Sequence, residues 1–177
     1  ATNSGTITYN ISDTAENITA GIGSDEAVIT SAQTVAATTY ATATEANTIA
    51  GSAKAIVYSI KDTATAIAGA NAGARNEAVN IICTTAATVA EATTIDDSSN
   101  SGYNTYDIED DDDAVAGAGN ALATTAGSVT VSGTSTVANA VTIAAYTKAV
   151  AYSISDVSAN ALGATGDAYN EAINITI

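Results

Sequence analysis

The sequence predicts an α/β repeat solenoid, in which short parallel strands alternate with short helices in repeats of about 48 residues. Three observations lead there. Tyr9-Asn10-Ile11-Ser12-Asp13 returns as Tyr58-Ser59-Ile60-Lys61-Asp62, Tyr106-Asp107-Ile108-Glu109-Asp110 and Tyr152-Ser153-Ile154-Ser155-Asp156, at spacings of 49, 48 and 46 residues. The hydrophobic fraction is an ordinary 46%, yet the chain has no Phe, Trp, Met or Pro, so its core must come from Ala, Val, Ile and eight Tyr. Small side chains let backbone layers approach closely, which suits a stack of thin rungs. Finally, each repeat divides into two halves of about 24 residues, a length that accommodates one strand and one short helix.

The second copy, residues 56–103, shows the scheme best. Ile56-Val57-Tyr58-Ser59-Ile60 is rich in β-branched and aromatic residues and reads as a strand. Asp62 follows as a helix N-cap, with Ala64, Ile67 and Ala68 at helical spacing behind it, and Gly69 and residues 71–73 turn the chain. The second half repeats this with a strand over 78–82, a cap at Thr84-Thr85 and a helix over 86–95. Equivalent strands are expected at Val28-Ile29, 129–131 and 173–175, and helices at 41–49 and 136–143. The turn Asn100-Ser101-Gly102 ahead of Tyr106 matches Asn3-Ser4-Gly5 ahead of Tyr9.

The predicted organisation is a single elongated array over 1–177, with repeats at about 6–54, 55–103, 104–149 and a partial one at 150–177. The chain then opens at the tail of one repeat and stops on a strand. Strand edges left bare in this way are expected to be covered by further repeats of the same chain or by the next subunit of a homopolymer. The closest competing architecture is an all-β parallel β-helix, which follows if the Ala/Thr segments are extended, since Thr favours strands and Ala helices.

Charge excludes several partners. With 19 acidic residues against 4 basic ones, the net charge is −15, so the chain lacks the basic footprint that nucleic acid requires. No run of about 18 apolar residues is present, so membrane insertion is not expected. Histidine is absent, which removes Ser/His and Cys/His nucleophile pairs and histidine metal sites. No phosphate-binding glycine pattern occurs either, and the chain does not read as an enzyme. Cys83, the one cysteine, has no Lys, Arg or His near it in sequence and reads as a structural thiol.

Four features remain as candidate sites. The equivalent aspartates Asp13, Asp62, Asp110 and Asp156 either cap their own helices or line up as a cation-gathering row. Asp110, Asp111, Asp112 and Asp113, with Glu109 ahead of them, are candidate calcium ligands, because calcium takes carboxylate oxygens in sets of six to eight; the alternative is a solvated loop. Residues 97–108 imitate the start of a calcium-binding EF-hand loop, with Gly102 sixth, but the twelfth position is Ile108 instead of Glu, so the stretch reads as a turn. Thr pairs at Thr6/Thr8, Thr42/Thr44, Thr63/Thr65 and Thr134/Thr136 could form a Thr-rich face for carbohydrate or ice. Asn10, Asn17 and Asn174 head Asn-x-Ser/Thr sequons.

The motif Tyr-x-Ile-x-Asp-Thr-Ala-x-x-Ile at Tyr58 to Ile67, with residues 79–95 after it, resembles repeats of large acidic bacterial extracellular proteins of adhesin-like, haemolysin-type or surface-layer-like kind. The resemblance implies a location outside the cell or at its surface and a structural or adhesive role, with glycan or cell-surface contact. It also implies calcium-binding repeats elsewhere in such proteins, although their glycine-rich nonapeptide is missing here. The expected function is thus an extracellular structural or adhesive protein that forms a scaffold or filament by stacking or end-to-end association. The alternatives are a carbohydrate- or ice-binding module and a calcium-stabilised surface-layer component.

Overall fold

A computed structural model describes residues 7–161 and 166–177. Asn3-Ser4-Gly5 and Thr6 lie outside the described residues. In chain order the elements are β1 (Ile11–Asp13), α1 (Ala15–Ser31), β2 (Val35–Ala37), α2 (Ala43–Ala50), β3 (Ile60–Asp62), α3 (Ala64–Ala68), α4 (Ala72–Glu77), β4 (Ile81–Cys83) and α5 (Val89–Asp96). There follow β5 (Asn104–Thr105), β6 (Ile108–Asp110), α6 (Asp112–Thr125), β7 (Val129–Val131), α7 (Val137–Ala144), β8 (Ile154–Ser155), α8 (Ser158–Ala161), α9 (Gly166–Glu171) and β9 (Ile175–Thr176).

The strands fall into four small sheets, ordered β1-β2, β3-β4-β5, β6-β7 and β8-β9. Within the pairs β1/β2, β6/β7 and β8/β9 the strands are parallel, in the registers Ile11 to Val35, Ile108 to Val129 and Ile154 to Ile175. This corrects the expected fold class. Strands of two or three residues in four separate sheets make a small α/β fold, and neither a solenoid nor a parallel β-helix is formed. The Ala/Thr segments are helical, which removes the β-helix directly. The expectation failed because a recurring sequence motif secures a recurring local structure, whereas a solenoid also needs one sheet running through every copy.

The chain divides into two compact units, interleaved in sequence. Unit 1 combines residues up to 62 with 69–82 and 98–104; unit 2 combines 63–68, 83–97 and 105–177. In unit 1, α2 packs against α1 and α4 around Ile18, Val35, Ile49, Tyr58 and Ile60. In unit 2, α5 packs against α3 and α6, and α7 against α6 and α9, around Ile67, Ile95, Ile108, Val115, Ile143 and Ile154.

Two periodicities explain these cores. Along Tyr-x-Ile-x-Asp the tyrosine and isoleucine point inward and the residue between Ile and Asp points outward: Ile60, Ile108 and Ile154 are buried while Lys61, Glu109 and Ser155 are exposed. On the helices, Ala43, Ala46 and Ile49 of α2 and Val137, Ala140 and Ile143 of α7 recur every three residues on the buried face. Helices of eight residues are too short to persist alone, so this packing and their caps hold them.

Individual boundaries also moved. Val28-Ile29, expected as a strand, lies inside α1, and the strand falls at β2 instead. Residues 71–73, expected as a turn, open α4, and the acidic run leads into α6. That helix is broken at Gly119, whose φ of 79° is in the left-handed region that glycine tolerates. The hydroxyl of Tyr146 receives the Gly119 N–H at 3.1 Å and lies 2.9 and 2.8 Å from the carbonyls of Val115 and Ala116, so one side chain bridges the break.

Three isolated parallel bridges have the same form: Ala41 with Ile60, Ala87 with Ile108 and Ser135 with Ile154. All three bridge residues on the first side are 0% exposed. Only the third carries a hydroxyl, and Ser135 Oγ has no hydrogen-bond partner among the described residues. A buried polar atom without a partner loses its hydration and gains nothing for it. Ser135→Ala is therefore expected to raise stability by about 1 kcal/mol in denaturant melts, and Ala87→Ser to lower it by a similar amount; a destabilising Ser135→Ala would contradict this.

Candidate functional site

The four Tyr-x-Ile-x-Asp segments are the most constructed places in the molecule. Tyr58, Tyr106 and Tyr152 are buried, and a buried phenol needs a partner for its O–H. Tyr58 donates to the Ala74 carbonyl at 2.7 Å and Tyr152 to the Ala168 carbonyl at 2.9 Å, while the less buried Tyr9 donates to the Val28 carbonyl at 2.6 Å. Tyr106 instead donates to Asp96 Oδ1 at 2.8 Å and lies 2.6 Å from Thr125 Oγ1. Burial pushes the Tyr106 phenol up to about 12, and raises those of Tyr58 and Tyr152 as well.

The aspartates do not simply cap their own helices. The N-caps of α1 and α6 are Thr14 and Asp111, one residue further along, and Thr63 takes the Ala66 N–H at the start of α3. The motif aspartates reach another helix. Asp62 Oδ2 accepts from the Ala43 N–H at 3.0 Å, Asp110 Oδ2 from Val89 at 2.9 Å and Asp156 Oδ2 from Val137 at 3.1 Å. These are the first residues of α2, α5 and α7, whose opening amides have no partner within the helix. The other oxygens of Asp110 and Asp156 accept from Asp111 N–H and Val157 N–H at 2.9 and 2.7 Å. Asp13 also binds the next amide, that of Thr14, together with the Asn17 side chain. The first amides of α1 and α3 are taken by Thr39 and Thr85 at 3.0 and 3.1 Å.

The candidate calcium ligands are distributed in the same way. Asp110 binds Val89, Asp111 caps Ala114 at 2.8 Å, Asp112 accepts from the Thr136 N–H at 3.0 Å and from Asn139 Nδ2 at 2.7 Å, and Asp113 accepts from Asn139 Nδ2 at 2.7 Å. Asp112 and Asp113 share the Asn139 amide, while Asp110 and Asp111 take separate backbone donors. Among the described residues no three Cys, Asp or Glu side chains are grouped so as to hold a metal ion. The 97–108 stretch packs on residues 76–80: Ser99 N–H donates to Asn76 Oδ1, Asn100 Nδ2 to the Val79 carbonyl and Tyr103 N–H to Asn80 Oδ1. Gly102 is required there, since a Cβ would lie 2.1 Å from Asn80 Oδ1 and 2.4 Å from the Val79 carbonyl.

Further capping residues were not singled out in the sequence. Thr42 with Glu45 and Thr88 with Glu91 form reciprocal capping boxes, and the signal was readable as Thr-x-x-Glu ahead of an apolar run. Thr42 and Thr136, members of the Thr pairs, are thereby N-caps. Basic residues serve the opposite helix ends: Lys54 Nζ donates to the carbonyls of Ala32 and Gln33 after α1, and Lys148 Nζ to Gly127 after α6 at 3.0 Å. Cys83 is half-buried, and burial followed by the Glu91 and Asp107 carboxylates pushes its thiol up to about 11. A thiol so raised is almost entirely protonated at neutral pH and a poor nucleophile.

Compared with protein-family models, curated proteins and solved structures, the chain matches none.

Three outcomes follow for these groups. Asp110→Ala should lower stability by about 1 to 2 kcal/mol, the usual size of a lost helix cap, whereas Asp97→Ala at the C-terminal end of α5 should not; equal effects in denaturant melts would contradict the cap.

Asparagine and backbone hydrogen bonds hold the carboxyls of Asp13 and Asp156 below their ordinary range. For Glu91 and Asp112 burial acts upward but is outweighed by hydrogen bonds from Thr88 and Thr65, and from Thr136 and Asn139. Carboxyls depressed by folding stabilise above their unfolded pKa, and that contribution disappears as pH falls through the folded value. The melting midpoint should therefore fall from about pH 5 downward; a rise would show that relief of the −15 charge dominates.

Cys83 should react with iodoacetamide at about pH 8 far more slowly than free cysteine, and at the free rate once unfolded in urea. Equal rates in the folded chain would contradict its burial.

Proposed function

We propose that this chain is a non-catalytic structural module of an extracellular or cell-surface protein, which self-associates through strand edges flanked by exposed apolar residues. The observation that carries the reading is the exposure of Ile175, at 42%, on β9, which pairs with β8, and of Ile173 and Ile177 flanking it, at 65% and 76%. Exposed apolar residues on and beside an edge strand favour addition of another strand. Residues 173–177 carry no charge, in a chain whose net charge is −15. The same holds around β1, where residues 7–12 are uncharged and Ile7 is 75% exposed. Stretches this poor in charge, with Asp13 at the end of β1 the acidic exception, give copies of an acidic protein a place to meet with less repulsion than the rest of their surfaces would cause. Pairing of the β9 edge of one copy with the β1 edge of the next would be heterologous and would propagate.

The chemistry of the described residues supports a structural reading. The motif carboxylates Asp62, Asp110 and Asp156 are engaged at helix ends, and burial raises the Cys83 thiol. No described helix is long and apolar enough to cross a membrane. A surface location agrees with exposure of the sequon asparagines Asn10, Asn17 and Asn174.

Light scattering over a concentration series tests the reading. The mean mass should climb with concentration, and Ile175→Lys, which places a charge on the edge, should hold the chain monomeric without lowering its melting midpoint. A wild-type chain that stays monomeric throughout would overturn it.

A further inference from the structure

Unit 1 carries a trough whose lining differs from the rest of the surface. A cavity of about 360 Å³ opens between the segment after β2 and the segment before β3, lined among others by Thr38, Thr39, Tyr40, Val57 and Ser59. Its size lies within the range of small-molecule sites, about 300 to 1,000 Å³. Tyr40 and Val57 remain 47% and 58% exposed, so neither is committed to the core. No lining residue is acidic, although the chain has 19 acidic residues.

The polar groups are hydroxyls held by the backbone. Thr39 Oγ1 accepts from the Ala15 N–H at 3.0 Å and Ser59 Oγ from the Asn80 N–H at 3.2 Å. A hydroxyl that accepts one such bond keeps its own proton to donate and a second lone pair to accept. At the rim, Lys61 Nζ lies 5.8 Å from the centre of the Tyr40 ring, within the range of a cation–π contact, which steadies the ring and adds further donors.

We propose that this trough binds a neutral pyranose sugar. The C–H face of such a ring is apolar and matches the Tyr40 ring and the Val57 methyls, while its vicinal hydroxyls both donate and accept, as do Thr38, Thr39 and Ser59. Ligands with carboxylate, sulfate or phosphate groups are opposed by the net charge of −15. A flat apolar partner would leave the three hydroxyls buried without exchange for their water. The site stands independently of self-association, since it uses no residue of β1 or β9.

The test is an amide NMR titration of the full chain with the methyl glycosides of glucose, galactose and mannose, and with glucuronate as a charged probe. The expected result is saturable shifts at residues 38–40 and 57–59 with at least one neutral glycoside, with a Kd of about 1 mM. Tyr40→Ala and Thr38→Val should each weaken it, the former roughly tenfold, while Tyr103→Ala, at a tyrosine equally exposed but outside the trough, leaves it unchanged. Thr38→Val keeps the test open should Tyr40→Ala unfold. Absence of saturable shifts with all three neutral glycosides, binding that survives both trough substitutions, or binding of glucuronate alone would each overturn the proposal.

Discussion

A carboxylate at the end of a short strand holds the first amide of a helix that lies earlier in the chain, and most of this structure depends on that contact. Asp62 does this for α2, Asp110 for α5 and Asp156 for α7. Each of these helices has only eight residues, so its unpaired N-terminal amides are a large share of its backbone. The threonine N-cap satisfies the third amide, as Glu45, Glu91 and Asn139 N–H all donate to it. In α2 and α5 the capping-box glutamate takes the amide of the N-cap itself. The aspartate supplies the partner that local sequence cannot, and in doing so fixes each strand against a helix. Negative charge at these helix starts is also favoured by the helix dipole.

The same arrangement explains how so acidic a chain accommodates its carboxylates. Carboxylates placed on amide donors are stabilised where they stand, even in the run 109–113, where Asp110, Asp111 and Asp112 each accept from a different backbone N–H. Basic residues are few and work at helix C-termini or, for Lys61, on an aromatic ring. The proposed functions use the surface instead: the apolar residues beside β1 and β9, and the hydroxyls of the trough beside the exposed Tyr40.

The local unit was legible in the sequence, and its assembly was not. The β-branched and aromatic residues of Tyr-x-Ile-x-Asp marked strands where β3, β6 and β8 lie, since that signal is local. The helices α2, α3, α5 and α7 were anticipated to within a few residues from Ala and Ile spacing. The solenoid was inferred from recurrence, but strands of two or three residues pair only in separate small sheets. Helix α6 was missed because its acidic start reads as solvated loop and Gly119 interrupts its pattern. The aspartates were read as caps of their own helices or as a cation row, whereas three of them hold helices earlier in the chain: the contact of Asp110 with Val89 spans 21 residues, and nothing in local spacing specifies it. For Tyr58 and Tyr152 the partners are backbone carbonyls 16 residues away, which no side-chain pattern marks.

The most direct test of the aspartate contacts is an NMR acid titration that follows the amide protons of Ala43, Val89 and Val137 together with the carboxyl carbons of Asp62, Asp110 and Asp156. If the contacts hold these helices to their strands, each amide moves in step with its own aspartate, and substitution of that aspartate by Ala abolishes the movement. Amides that ignore the aspartates, while only the neighbouring Asp111 and Val157 amides respond, would contradict it.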